Sequence, residues 1–264
     1  MKATLITGAS SGIGEGFARR LATEGHDLVL VARSEKALHE LCDELMLKHD
    51  IWAHYIVLDL AEPNADLTLF AETQKHNIEI DCLINNAGFG SSGDFAKLNI
   101  DRELQMIELN IAALVAITHA YLKPMRERKS GTIVNVSSAA GFQPIPFMAT
   151  YAATKAFVTS FSEAVAEENR PYGIQVLALC PGSTQTNFFA ASRIDRPVQV
   201  KGQQTVEQVV ETAIRAMKSG RTKVVSGIAN KIGALLGSYI PSFITRRAMA
   251  SALRPRFQRE KRTR

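Results

Sequence analysis

The sequence predicts a single α/β domain built on a doubly wound parallel sheet with helices on both faces. Three observations predict it: apolar runs of strand length alternate with segments of helical periodicity, a glycine-rich turn joins the first run to the first helical segment, and the polar motifs fall directly after strand ends. The first strand is expected at 3–7 and leads into Thr7-Gly8-Ala9-Ser10-Ser11-Gly12-Ile13-Gly14, with a helix over 15–23. Further strands are expected at 27–32, 53–58, 82–85, 131–136 and 175–180, with a last one near 223–226, because each is a short apolar run between polar or turn-forming residues. Between them Leu38, Leu41 and Leu45 recur at helical spacing, as do Ala112, Val115, Ala116 and His119, and again Phe157, Phe161 and Val165. Residues 1–226 form the expected domain, with a loop at about 187–204, and 227–264 form a C-terminal extension.

At 264 residues, 46% hydrophobic and 22% charged, the chain can bury one large core. Cys42, Cys82 and Cys180 are odd in number, far apart and set among apolar residues, so free buried thiols in a reducing cytoplasm are expected rather than disulfides. The six histidines show no metal-ligand spacing, and no metal site is expected. A strand and glycine turn at the very start leave no room for a signal peptide, so a cytoplasmic location is expected.

Charge singles out the C-terminus. Residues 246–264 hold eight basic residues, Arg246, Arg247, Arg254, Arg256, Arg259, Lys261, Arg262 and Arg264, against Glu260, a net +7 within the total of +5. The basic residues are terminal and not interleaved with aromatic platforms, so nucleic acid is not an expected partner. Just before them Ile232, Leu235, Leu236, Tyr239, Ile240 and Phe243 form an apolar helical stripe, broken by Pro241 and too short to span a bilayer. A solvated basic tail, a lid over the substrate, a subunit contact, and a peripheral contact with an anionic membrane or acidic carrier protein all stay open. Burial by protein is expected ahead of burial by lipid.

The chemistry centres on Tyr151-Ala-Ala-Thr-Lys155, with Ser138 thirteen residues ahead of the tyrosine. Positions i and i+4 share a helix face, so the Lys155 ammonium can lie beside the Tyr151 phenol and favour its ionised form. A phenol that ordinarily ionises near about 10 then serves as acid or base near neutrality. Read alone, this pair can equally be a solvated helix face. Glycines at 8, 12 and 14 let the backbone turn tightly and approach a ligand, and the following helix start offers unpaired N–H groups to a pyrophosphate. The spacing is G-x-x-x-G-x-G rather than G-x-G-x-x-G, and a tight turn with no ligand is the alternative. The second strand ends in Ala32-Arg33-Ser34 with no acid, so Arg33 can meet a ribose 2'-phosphate, with Ser10 and Ser34 as further donors. Arg33 as a plain solvated charge is the alternative.

These segments appear in order with Asp59-Leu60, Asn85-Asn86-Ala87-Gly88, Asn110, and Pro181-Gly182 followed by Thr184 and Thr186. Over about residues 2–189 the chain resembles the short-chain dehydrogenase/reductase family, NADP(H)-preferring and of Rossmann type. The resemblance implies a catalytic set of Asn110, Ser138, Tyr151 and Lys155. It also implies cofactor contacts from Gly8, Ser10, Ser11, Gly12, Ile13, Gly14, Arg33, Ser34, Asp59, Leu60, Asn86, Ala87, Gly88, Tyr151, Lys155, Pro181, Gly182, Thr184 and Thr186. In those roles Tyr151 exchanges a proton with the carbonyl oxygen, Ser138 holds that oxygen, Lys155 ionises Tyr151 and meets the nicotinamide ribose, and Asn110 binds a water on the proton path. For Asn110 a capped or kinked helix turn is the alternative.

The expected substrate contacts are Ser138 and Tyr151 with Phe89, Phe142, Phe147 and Phe188, backed by Pro144, Ile145, Met148 and Phe189. These side chains are apolar, and no Arg or Lys in those segments offers a carboxylate clamp, although aromatics that only pack the core would look the same. The expected function is an NADP(H)-dependent oxidoreductase that interconverts an apolar ketone or aldehyde and its alcohol, as a homodimer or homotetramer. An acyl-ketone reductase of lipid metabolism and a catalytically idle NADP-binding regulator are the alternatives.

Overall fold

A computed structural model describes residues 1–186, 188 and 203–258. Most of the expected 187–204 loop, Phe189 within it, and the last six residues of the basic tail lie outside the described residues.

Strands β1 (Lys2–Thr7), β2 (Leu28–Ala32), β3 (Ala53–Val57), β4 (Glu79–Asn85), β5 (Gly131–Val136), β6 (Ile174–Cys180) and β7 (Lys223–Val225) form one parallel sheet in the order β3-β2-β1-β4-β5-β6-β7. Helices α1 (Gly12–Ala22), α2 (Glu35–His49) and α7 (Val206–Lys218) cover one face. Helices α3 (Ala65–Lys75), α5 (Leu114–Arg128) and α6 (Ala149–Asn169) cover the other. Burial on both faces is why β2 reads as the unbroken run Leu-Val-Leu-Val-Ala. Leu28 and Leu30 pack with Phe17 and Leu38, whereas Val29 and Val31 pack with Leu69 and Ile117. The strand order reverses between β1 and β4, and the crevice at the carboxyl ends of these two strands receives the motif loops.

The seven expected strands are present, with β4 starting three residues earlier than its apolar run, at Glu79. Two helix faces are corrected. On α5 the buried face is Leu114, Ile117, Thr118, Tyr121 and Met125, while Ala112 and His119 are exposed. The cause is a π-helical turn, Glu108–Ala113, between α4 (Ile100–Ile107) and α5, which rotates the faces relative to a continuous 3.6-residue repeat. On α6, Phe157 is exposed and stacks on Phe161, while Lys155, Thr159 and Ser162 turn inward with Val158 and Val165. That inner face is polar because it serves the site, so apolar periodicity pointed to the wrong side. The run Ile100–Arg128 is long and apolar enough to cross a membrane by length and composition. Leu114, Ile117, Tyr121 and Met125 within it nevertheless pack against β4 and β5, as a core helix does.

The C-terminal extension forms α8 (Ile228–Tyr239) and α9 (Ser242–Gln258). Its apolar stripe is not turned onto the chain's own domain: Ile232, Leu235, Leu236, Tyr239 and Phe243 are all exposed. Small residues pack inward instead. Ala234 is buried and Gly237 lies against Gln143 and the Phe142 carbonyl.

Beneath the site a buried amide chain ties β4, β5, α5 and α6 together. Asn85 Nδ2 donates to Thr118 Oγ1 at 3.0 Å and to Asn135 Oδ1 at 2.9 Å, and Asn135 Nδ2 donates to Ser162 Oγ at 2.9 Å. Asn85 and Asn135 are register partners across the β4–β5 ladder, so the link is built into strand alignment. Asn135→Ala leaves one donor and one acceptor unpartnered in a fully buried position, and should lower the unfolding free energy by about 2–3 kcal/mol in urea titrations.

Candidate active site

The glycine loop is held against the turn that follows β4. Gly8 and Gly12 have φ of +65° and +60°, and a Cβ at Gly8 would come within 2.9 Å of Ala87 Cα. A Cβ at Gly14 would meet the Gly8 carbonyl oxygen at 2.4 Å. Thr7 Oγ1 accepts from the amides of Asn86 and Ala87 at 2.9 and 3.0 Å, and Asn86 Nδ2 donates to the carbonyls of Thr7 and Gly8. Asn86 therefore acts on the loop, and its side chain is spent there. Ser11 caps α1 without a side-chain hydrogen bond, so the first N–H groups of that helix are left to an anionic ligand.

The other nucleotide-side residues fall into two groups. Arg33 is exposed at the end of β2, with Nη1 3.5 Å from Asp59 Oδ2, while Asp59 Oδ1 accepts from the amide of Ala61. Ser34 caps α2. Leu60 is buried in the core on one face of the sheet and Ile13 packs against the core on the other. After β6, Pro181 accepts from the Ala139 amide, and Thr184 Oγ1 donates to the Gly182 carbonyl at 3.1 Å. Thr186 accepts from the Phe188 amide, and its methyl side lies where a Gly12 Cβ would sit, 3.2 Å away. The loops after β1, β4 and β6 thus converge over the switch point, with Ser10 in the first of them.

At the centre, Tyr151 and Lys155 lie on the inner face of α6 and Ser138 begins the 3-10 turn Ala139–Phe142 after β5. The Ser138 hydroxyl draws the Tyr151 phenol's pKa down, accepts from the Ala140 amide and faces the Pro181 carbonyl. Lys155 Nζ donates to the Val136 carbonyl at 2.9 Å and stands 5.9 Å from the centre of the Tyr151 ring. Burial pushes the phenol up, opposed by the Ser138 hydroxyl, and holds the Lys155 ammonium down to about 8. The expected downward pull of Lys155 on Tyr151 is therefore not what the fold displays; desolvation outweighs it.

Asn110 sits in the π-helical turn and is buried. Its Nδ2 donates to the Phe89 carbonyl at 3.0 Å and to Thr154 Oγ1 at 3.1 Å, and its Oδ1 accepts from the Phe89 amide at 3.1 Å. Thr154 in turn donates to the Tyr151 carbonyl at 2.8 Å. The amide ties the Gly88-Phe89 loop to α6 one turn from the tyrosine. Both donor hydrogens of the side chain are thus used by protein, and a water on the proton path would donate to Oδ1 or meet the backbone.

The expected substrate walls divide. Phe188 reaches Tyr151, with ring centres 5.5 Å apart. Phe147 stacks at 4.7 Å on Phe257 of α9, Phe89 lies 4.7 Å beneath the Arg102 guanidinium, and Phe142 lies 5.8 Å from the Lys223 ammonium. Thr154, Arg102, Asn230 and Phe257 were not picked out from the sequence. Asn230 fills the space where a Gly182 side chain would stand, 2.1 Å from its Cβ position. Arg102 brings a cation from outside these segments over the Phe89 ring. Each lies far along the chain from the residue it touches, and no local pattern announces such a contact.

The sequence matches the family model for short chain dehydrogenases over residues 2–197. The chain belongs to the short-chain dehydrogenase/reductase family. It is 30% identical to a very-long-chain 3-oxoacyl-CoA reductase of Rattus norvegicus over 91% of this chain and 76% of the relative. A 7beta-hydroxysteroid dehydrogenase of Mediterraneibacter gnavus is 30% identical over 86% of each chain. Among solved structures, a short-chain dehydrogenase from Sphingobium yanoikuyae in complex with NADPH superposes with a TM-score of 0.81 at 32% identity, covering 95% of this chain and 96% of that one. Membership makes the protein an oxidoreductase of a family that uses NAD(P)(H).

The depressed Lys155 value carries a stability consequence. Between about 8 and the ordinary 10.5 the folded state has released a proton that the unfolded chain still holds, so stability rises with pH through that window and is unchanged below it. Urea unfolding should show wild type gaining roughly 1 kcal/mol per pH unit relative to Lys155→Met above about pH 8, with no relative gain below it.

Proposed function

We propose that this short-chain oxidoreductase interconverts an apolar ketone or aldehyde and its alcohol with NADP(H), and that Tyr151 is the acid and base. The observation that carries the proposal is the convergence of Ser138, Tyr151 and Lys155 at the carboxyl edge of the sheet, with Tyr151 and Lys155 buried on the inner face of α6 and Phe188 against the tyrosine ring. The fit of a dinucleotide rests on the crowded glycine loop and the uncapped start of α1, where any Cβ at Gly8 or Gly14 would fill the cradle. Gly8, Gly12 and Gly14 with Ser10 and Ser11 would hold the diphosphate, Arg33 and Ser34 the 2'-phosphate, and Pro181 to Thr186 the nicotinamide side. When bound, the nicotinamide supplies or accepts the hydride.

In this reading the Ser138 hydroxyl orients the substrate oxygen, and Tyr151 gives it a proton during reduction or removes one during oxidation. The upward push of burial keeps the phenol protonated at neutral pH, the form that reduction needs. The Lys155 ammonium, 2.9 Å from the Val136 carbonyl and on the same helix face as Tyr151, supplies positive charge when a proton leaves the phenol. Asn110 fixes the position of α6 against the Gly88-Phe89 loop.

The apolar substrate is supported by Phe188 and Phe147, and by relatives whose names refer to oxoacyl and hydroxysteroid compounds. Those names also sustain the acyl-ketone reductase alternative. The complete catalytic set weighs against an idle regulator. We place the catalytic unit at 1–226, with 227–264 as an extension over it. The exposed Phe157, stacked on half-buried Phe161, supports self-association as a homodimer or homotetramer, and three free buried cysteines fit a reducing cytoplasm.

Tyr151→Phe keeps the ring under Phe188 and removes the proton donor. Turnover of NADPH with a ketone panel should fall about 100-fold or more while NADPH still binds; near wild-type turnover would defeat the mechanism. Arg33→Ala should weaken NADPH about 30-fold in binding titrations and leave NADH nearly unchanged, whereas equal losses would make Arg33 a structural residue.

A further inference from the structure

Helix α8 presents two different sides. Inward lie the small ones: Ala234 is buried, Gly237 meets Gln143, and Asn230 fills the space beside Gly182. Outward lie Ile228, Ile232, Leu235, Leu236 and Tyr239, at the i, i+4, i+7, i+8 and i+11 spacing of one helix face, and Ile228 and Tyr239 are 78% and 81% exposed. Phe243 and Ile244 at the start of α9 continue the exposed series. Isolated exposed apolar residues are ordinary on a protein surface. Seven within two consecutive helices are of the number that marks an interaction site.

The charge around the patch has one sign. No aspartate or glutamate occurs between Glu211 and Glu260, whereas Lys231, Arg246, Arg247 and Arg254 accompany the apolar residues. Arg247, Ser251 and Arg254 also line a shallow crevice of about 410 Å³ on α9, with Ala250 and Pro255, large enough to take a phosphate group. Two copies of this chain meeting through the patch would bring like charges together. A mixed phospholipid surface supplies both hydrocarbon and phosphate. Twelve residues of helix reach about 18 Å, short of the roughly 30 Å hydrocarbon core, so α8 can lie in the interface but not cross it.

We infer that the exposed face of α8 and the start of α9 are a docking surface for an anionic membrane. Ile228, Ile232, Leu235, Leu236 and Phe243 enter the acyl boundary, Tyr239 sits at headgroup level, and Lys231, Arg246, Arg247 and Arg254 meet lipid phosphates. The surface is separate from the proposed chemistry, and none of these residues belongs to the catalytic or nucleotide set.

The test is co-sedimentation of the full chain with phosphatidylglycerol and with phosphatidylcholine vesicles, over a range of salt. Binding to the anionic vesicles should be at least tenfold tighter than to the zwitterionic ones and should fall steeply as salt rises. Leu235→Ser with Leu236→Ser, and separately Arg246→Ala with Arg247→Ala, should each weaken it at least tenfold, with thermal melting by circular dichroism serving as the folding control. A Tyr239→Trp reporter should be quenched by brominated acyl chains beyond the signal of the wild-type chain. The inference is overturned by absence of binding to anionic vesicles, by binding that ignores the leucine pair, or by an unquenched reporter. It is overturned equally if the leucine pair instead abolishes self-association or capture by an acidic carrier protein while vesicle binding is absent.

Discussion

Four hydrogen bonds join Thr7-Gly8 to Asn86-Ala87 across the switch point, two from the Asn86 and Ala87 backbone amides to the Thr7 hydroxyl and two from the Asn86 side-chain amide to the Thr7 and Gly8 carbonyls. These bonds join the end of β1 to the end of β4 where the strand order turns back on itself. With the two ends fixed, the glycine loop can lie at van der Waals distance from Ala87, and the start of α1 is aimed across the sheet edge rather than into solvent. The rest of the site is then relayed outward: Gly88 rests on Asn110, Asn110 on Thr154, and Thr154 on the carbonyl of Tyr151. A loop, a π-helical turn and a helix are thereby set by short contacts that begin at one threonine hydroxyl.

Much of this was legible in the sequence, and the reason is physical. Parallel strands buried on both faces must be continuously apolar, so β1, β2, β5 and β6 stand out as runs, and the polar residues at their ends stand out by contrast. Ser138 was found for the same reason, and Tyr151 and Lys155 because a spacing of four sets both on one helix face. What periodicity missed were faces whose inner side is polar or whose phase is broken. Helix α6 turns Lys155, Thr159 and Ser162 inward, and the turn at Glu108–Ala113 shifts α5 by part of a residue repeat. Contacts such as Phe147 with Phe257 or Gly182 with Asn230 depend on how the extension folds back, and neither composition nor spacing encodes that direction.

The electrostatics of the centre are those of a site whose charges are made costly by burial. Both Tyr151 and Lys155 are biased toward their neutral forms, the phenol upward and the ammonium downward, so each is held away from the ionisation state it would have in water. A proton moving between substrate oxygen and phenol therefore changes charge where water contributes little screening, and nearby fixed dipoles count for more. The carbonyls of Val136 and Pro181 and the amide of Ala140 are such dipoles, all supplied by backbone that the sheet holds in place.

Phe147 has φ of +66°, a left-handed conformation that a side chain of this size adopts only under constraint. Two contacts hold it there, the Gly93 amide donating to its carbonyl at 2.8 Å and the Phe257 ring stacked on its own. One of these belongs to the last described turn of the chain. The backbone geometry four residues ahead of Tyr151 is thus partly underwritten by a helix that makes no ladder contact with the sheet. By thermodynamic reciprocity, whatever restrains α9 also narrows the conformations open to Phe147, and whatever fills the space beside Phe147 alters how firmly α9 is held. The tail and the pocket wall form a single two-ended element, so ordering at either end is felt as entropy at the other.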